Sequence, residues 1–117
     1  MSTLERIVQE LVPGKEITIA HLIAGPERSL YEKLGLAPGN DAGKTAIGIL
    51  TISPGETAVI AADIAIKAAG VELGFVDRMN GTLIVTGSIA DVEAAVRSVL
   101  EYVRDKMGFS VCEMTRT

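Results

Sequence analysis

Few side chains in this sequence are equipped for chemistry. One histidine, His21, and one cysteine, Cys112, lie far apart along the chain. Zinc needs three or four nitrogen, sulfur or oxygen ligands, so neither residue makes a metal site on its own. Nucleophilic catalysis needs a base within reach and a third group to orient it, and no such constellation is visible. His21 is expected to be buried with a hydrogen-bond partner, on the same side of a strand as Ile17, Ile19 and Ile23. Cys112, alternating with Ser110 and Met114, reads as a small hydrophobe. A minor reading makes it a redox site in which symmetry gathers one cysteine from each chain around a metal cluster.

The stretch Gly39 to Thr45 imitates a phosphate-binding loop but has three residues between its glycines instead of four. A helix precedes it and a strand follows, the reverse of the order that aims helix N–H groups at a phosphate. It reads as a plain loop. Asp63 and Lys67 are one helical turn apart and form an i,i+4 ion pair, or else meet a neighbouring subunit. Arg78 and Met79 precede Asn80-Gly81 at a hairpin tip, where symmetry alone would give them a role.

These residues must be held by helices and strands that the spacing of apolar positions reveals. Ser53-Pro54-Gly55-Glu56 has the pattern of a capping box with proline at the first helical position, predicting a helix to Ala69 stopped by Gly70. Its only charges are Glu56, Asp63 and Lys67, a single narrow stripe, whereas a monomer's surface helix carries a broad polar face. A second long helix is capped by Ser88 with Asp91, follows the apolar series Val92, Ala95, Val96, Val99, Val103 and Met107, and ends at Gly108.

Strands are predicted at Ile17–Ala24, Thr45–Ile52, Val71–Arg78, Thr82–Gly87 and Phe109–Thr115, with a short helix from Pro26 to Leu34. Asn80-Gly81 is the strongest hairpin signal in the chain. The fold class is α+β: a β-α-β-β-α-β, ferredoxin-like order from Thr45 onward, preceded by a strand and a short helix.

Composition turns attention to partners. The chain has 117 residues, is 48% hydrophobic, and contains two Tyr, two Phe and no Trp. A domain of this size buries only about two-thirds of its unfolded surface, so much apolar surface is left seeking cover. Uncharged runs such as Thr45–Gly55 fall far short of the ~18 apolar residues of a membrane span, so no membrane partner is expected. A formal charge of −4 without a Lys/Arg cluster argues against nucleic acid. A single cysteine and no leader pattern suggest a reduced, cytoplasmic, soluble chain.

Two segments carry a resemblance: Ala46-Ile-Gly-Ile-Leu-Thr-Ile-Ser-Pro-Gly-Glu-Thr-Ala58, and Ala61-Ala-Asp63-Ile-Ala-Ile-Lys67-Ala-Ala-Gly-Val71 leading into Phe75. Both resemble the bacterial microcompartment (BMC) shell domain, in which a strand enters a helix reading A-A-D-x-x-x-K-A-A. Val8–Lys15, Ala20–Ala24 and Cys112–Thr117 resemble one subclass, the circularly permuted hexameric shell proteins of the EutS and PduU type, from ethanolamine- and propanediol-utilising compartments.

The resemblance spans essentially the whole chain, as one domain over residues 1–117 with an extension at 1–16 and the core at 17–117. It implies a structural protein, not an enzyme, without cofactor or metal, found in the cytoplasm in a compartment shell. It further implies a homohexamer that tiles edge to edge with other hexamers, trimers and pentamers around encapsulated enzymes. Lys67 matches the family's edge lysine, placing Asp63 and Lys67 at the hexamer edge with Arg28 nearby. The hairpin matches the pore loop, placing Asp77, Arg78, Met79, Asn80 and Gly81 near the sixfold axis. In the subclass, the segment holding Ile7, Val8, Glu10, Leu11 and Val12 builds a β-barrel that caps the pore. The pore turn departs from the family's Gly-Ser-rich pattern, and Ala24-Gly25-Pro26 stands where ordinary tiles have P-R-P. The alternative from the residues alone is a small-ligand-binding regulatory domain of the same architecture.

Overall fold

The computed structural model describes residues 14–36 and 45–117. The proposed barrel residues Ile7, Val8, Glu10, Leu11 and Val12, and the phosphate-loop mimic from Gly39 to Lys44, lie outside the described residues. The elements are β1 (Glu16–Ala24), α1 (Arg28–Lys33), β2 (Ala46–Ser53), α2 (Thr57–Ala68), β3 (Glu72–Asp77), β4 (Thr82–Gly87), α3 (Ile89–Met107), β5 (Ser110–Val111) and β6 (Thr115–Arg116). The mixed α/β expectation holds, with every long element near its predicted place.

Among the described residues one sheet contains all the strands, in the order β3-β4-β2-β1-β5, with β6 also paired to β1. The ferredoxin-like description captures the succession of elements but not this order. β1, from outside the β-α-β-β-α-β run, lies between the run's first strand and its last. β1 is antiparallel to β2 and parallel to β5 and β6.

Alternation along the strands builds two cores. On one face Leu22, Leu50, Ile52, Leu83 and Val85 pack under α2 and α3, which contribute Ala61, Ala65, Val92, Val96 and Val99. On the other face Tyr31 of α1 and Leu36 pack on Ile47 and Ile84. β2 is the central strand, so its successive residues feed both cores, as its near-continuous apolar run requires.

α3 is built as its sequence suggests. Ser88 is extended and its hydroxyl accepts the Asp91 N–H at 3.1 Å, while Gly108 closes the helix at φ 74°, donating its N–H to the Val103 carbonyl. α2 differs from expectation at both ends. Ser53 is the last residue of β2 and pairs with Glu16, so no capping box forms. The first helical N–H groups, of Thr57, Ala58 and Val59, instead donate to the carbonyls of Pro54, Gly55 and Glu56 at 2.9, 2.9 and 3.1 Å. At the other end Ala69 turns to extended backbone, and Gly70 is not left-handed.

The C-terminal strand is also shorter than predicted. Only Ser110–Val111 and Thr115–Arg116 pair with β1; between them Cys112 and Met114 pack partly against the larger core.

Candidate functional site

A bulge decides where His21 points. The β1–β2 register shifts between Ile17 and Ile19, which sends Ile17 into the larger core and Ile19 and His21 to the opposite face. His21 therefore does not share a side with Ile17, because simple alternation misses the extra residue. It is half-buried, with Nδ1 2.6 Å from Thr115 Oγ1 and Nε2 3.0 Å from Thr117 Oγ1. These hydroxyls fasten the C-terminal strand to β1, a structural use of the imidazole that was expected from the sequence, though without its partners. On the same strand, Arg116 reaches Glu93 of α3 at 3.6 Å.

Cys112 is partly buried, and burial pushes its thiol above the usual range, away from the thiolate that metal binding or nucleophilic attack needs. It borders a shallow cavity of about 360 Å³ shared with Arg97, Leu100, Arg104 and Met114. No cluster of three or more metal-ligating side chains occurs among the described residues.

The hairpin tip is more highly ordered. Asp77 Oδ1 accepts the N–H groups of Met79 at 2.8 Å and Asn80 at 3.2 Å; Oδ2 accepts the Asn80 side-chain amide at 2.8 Å. The Gly81 N–H closes the loop on the Asp77 carbonyl at 2.7 Å. Of the loop residues only Gly81 has positive φ, at 79°, so Asn80-Gly81 does not form the two-residue type I′ turn its sequence suggests. The turn is organised by the Asp77 carboxylate, in the manner of an Asx turn.

This arrangement joins Asp77, Met79, Asn80 and Gly81 into one unit, with Arg78 exposed beside it and Met79 80% exposed. The unit rests on backbone. A Cβ on Gly81 would strike the Ile52 carbonyl, and one on Gly55 would strike that of Arg78, while Ile52 N–H donates to the Gly81 carbonyl at 2.8 Å. The two glycines permit this approach, which no local pattern in the sequence announces.

Hydrogen bonding, first from the Asn80 side chain and then from the Met79 and Asn80 N–H groups, holds the Asp77 carboxyl below its usual range. A group lowered on folding stabilises the fold above its unfolded pKa of about 3.9, and that stabilisation disappears as pH falls through the folded value. An Asp77→Ala variant is therefore expected to be less stable than wild type near neutrality. Urea midpoints measured across pH should show the gap narrowing as the solution is acidified below the carboxylate range. A gap independent of pH would remove the charge of Asp77 from the explanation.

The predicted edge residues divide. Asp63 and Lys67 meet on the outward side of α2, with Lys67 Nζ 2.8 Å from Asp63 Oδ2; the hydrogen bond and charge of Asp63 raise the lysine above its usual range. Arg28 lies on α1, whose buried Tyr31 packs on the opposite face of the sheet, and pairs within its own helix with Glu32 at 3.8 Å. It does not join the other two. Around Asp63 and Lys67, α2 exposes Val59 (52%), Ile60 (44%) and Ile66 (47%). The edge strand β3 exposes Leu73 and Phe75 on either side of a bulge at Gly74. This second apolar surface was missed because nothing local marks β3 as an edge strand.

Comparison with known proteins gives this surface a context. The BMC domain family model matches residues 46–115. The chain is 49% identical over 115 residues to the bacterial microcompartment shell protein PduU of Salmonella typhimurium, covering 98% of this chain and 96% of that protein. It is 49% identical over 113 residues to the shell protein EutS of Escherichia coli, covering 97% of each. The shell protein CutR of Streptococcus intermedius is 44% identical over 117 residues, covering 100% of this chain and 97% of that protein. Among solved structures, a CutR flat hexamer superposes with a TM-score of 0.83 at 44% identity, covering 92% of this chain and 95% of that one. With a family model spanning most of the chain and relatives matched end to end, the chain belongs to the BMC-domain family, together with the microcompartment shell proteins PduU, EutS and CutR.

Proposed function

We propose that this chain is a non-enzymatic structural subunit of a bacterial microcompartment shell that assembles as a cyclic homohexamer and tiles edge to edge with other shell proteins. One observation carries the reading. α2 and β3 expose Val59, Ile60, Ile66, Leu73 and Phe75, large apolar side chains at an edge and on a helix that a solitary domain would cover. The CutR flat hexamer, similar over most of both chains, supports a sixfold ring as the way they are covered.

In this reading the Asp77–Gly81 tip faces the sixfold axis and Lys67 faces the neighbouring hexamer. The segment with Ile7, Val8, Glu10, Leu11 and Val12 caps the pore, and β1 with α1 is the permuted part of the domain. The shell lies in the bacterial cytoplasm around encapsulated enzymes. No helix among the described residues is long and apolar enough to cross a membrane. The ligand-binding alternative is not favoured by the shell-protein relatives.

Light scattering during size exclusion is expected to return the mass of six chains, and electron microscopy at higher concentration to show sheets. Lys67→Ala should leave the hexamer intact, because the Asp63–Lys67 pair is solvent-exposed and adds little to the fold. The same variant should lose the sheets. A monomer at micromolar concentration would sink the proposal, and sheets undiminished in the variant would remove Lys67 from the edge.

A further inference from the structure

The hairpin tip carries a second property that does not depend on the oligomer. Asn80 is exposed and is followed by glycine, the neighbour that least hinders approach of a backbone nitrogen to the asparagine side chain. In that reaction the Gly81 nitrogen loses its proton to solvent base and bonds to Asn80 Cγ. Ammonia leaves with Nδ2, and water opens the resulting succinimide to aspartate or isoaspartate. No oxidant, metal or enzyme is needed.

Each participating group is engaged elsewhere. The leaving nitrogen, Asn80 Nδ2, donates to Asp77 Oδ2 at 2.8 Å, so the side chain must abandon that bond to reach its own backbone. The attacking nitrogen donates its proton to the Asp77 carbonyl at 2.7 Å, which opposes its removal. The Gly81 carbonyl accepts from Ile52 N–H at 2.8 Å, which ties the turn to β2.

We propose that Asn80 is a spontaneous deamidation site and that the Asp77 turn is the device that holds it unreacted. The consequence of failure is specific. Deamidation sets a new carboxylate beside the carboxylate of Asp77, where an amide donor had been. The isoaspartate product also adds a methylene to the backbone between residues 80 and 81, lengthening a loop whose end is tied to β2 by the bond from Ile52 N–H to the Gly81 carbonyl. One slow modification would therefore charge the tip and open it.

Full-length protein is incubated at mildly alkaline pH below its melting temperature, beside the same protein in urea, and digested with trypsin at intervals. The peptide Met79–Arg97 contains a single asparagine, so a gain of one mass unit reports on Asn80. Folded wild type is expected to react at least about tenfold more slowly than the unfolded chain, the scale set by one or two retained hydrogen bonds. Asp77→Ala loses the carboxylate but keeps the backbone bonds at Gly81, so it should react several-fold faster than wild type while staying slower than the unfolded chain. Asp77→Asn keeps an oxygen for the backbone N–H groups but loses the acceptor for the Asn80 amide, so it should react several-fold faster than wild type while remaining folded. It carries the test if Asp77→Ala does not fold. Wild type reacting as fast folded as unfolded, or a folded Asp77 variant as slow as wild type, would overturn the proposal.

Discussion

Gly81→Ala is expected to destabilise the chain by about 2–5 kcal/mol, the sum of a left-handed penalty of roughly 1–2 and about 1–3 for a lost, partly unsatisfied hydrogen bond. The backbone at Gly81 is at φ 79°, and a Cβ there would collide with the Ile52 carbonyl. Relief requires the tip to move off β2, which breaks the bond from Ile52 N–H to the Gly81 carbonyl. Gly35 separates the two contributions. Its φ is 73°, but no atom of the described residues lies within 4 Å of the place an alanine methyl would take, so Gly35→Ala should cost only the conformational part, about 1 kcal/mol. Urea denaturation of both variants at one protomer concentration checks the difference. Equal midpoints would show that the contact with Ile52 is not what fixes the tip. If the tip lies at a sixfold axis, as proposed, Gly81→Ala should also disturb the ring where Gly35→Ala does not.

The second large effect concerns the two faces of β2. Leu50 is fully buried between the sheet and the two long helices, and Leu50→Ala should cost about 2–5 kcal/mol. That is a large share of the roughly 5–15 kcal/mol that holds a domain of this kind. Ile49, one residue earlier, points to the opposite face and is only partly covered by the Tyr31 cluster. Ile49→Ala should cost roughly 1 kcal/mol, in proportion to the smaller area it removes from contact. Comparable costs would mean that the smaller cluster under α1 is as tightly packed as the larger one.

Both predictions rest on features of unequal visibility in the sequence. β2 was legible as a buried strand because an unbroken apolar run at the centre of a sheet needs cover on both faces. α3 was legible to the residue at its start, since Ser88 and Asp91 form their cap within a single turn. The start of α2 was misread for a related reason. Ser53-Pro54-Gly55-Glu56 has the composition of a cap, but Ser53 is already committed to a ladder with Glu16, thirty-seven positions away. A local signal lost to a long-range one.

The candidate site divides in the same way. The A-A-D-x-x-x-K-A-A helix could be found because its residues lie on one short segment, and Asp63 and Lys67 meet by helical spacing alone. The hairpin was predicted, but its turn was not, because Asp77 lies three residues before Asn80 and takes over the hydrogen bonds that a type I′ turn would leave to the backbone.

What the sequence by itself determined is what a few neighbouring residues can enforce: the existence and type of the long elements, the cap of α3, the under-polar helix α2, and the family to which its motifs belong. Tertiary structure alone decided which strands became neighbours. It placed β1 between β2 and β5, made β3 an edge with Leu73 and Phe75 exposed, and used a bulge to turn His21 away from Ile17 and toward Thr115 and Thr117. It also brought Gly81 against Ile52. Periodicity records which side of an element is apolar, but not what that side will meet; that depends on contacts between segments distant in sequence, formed only when the sheet closes.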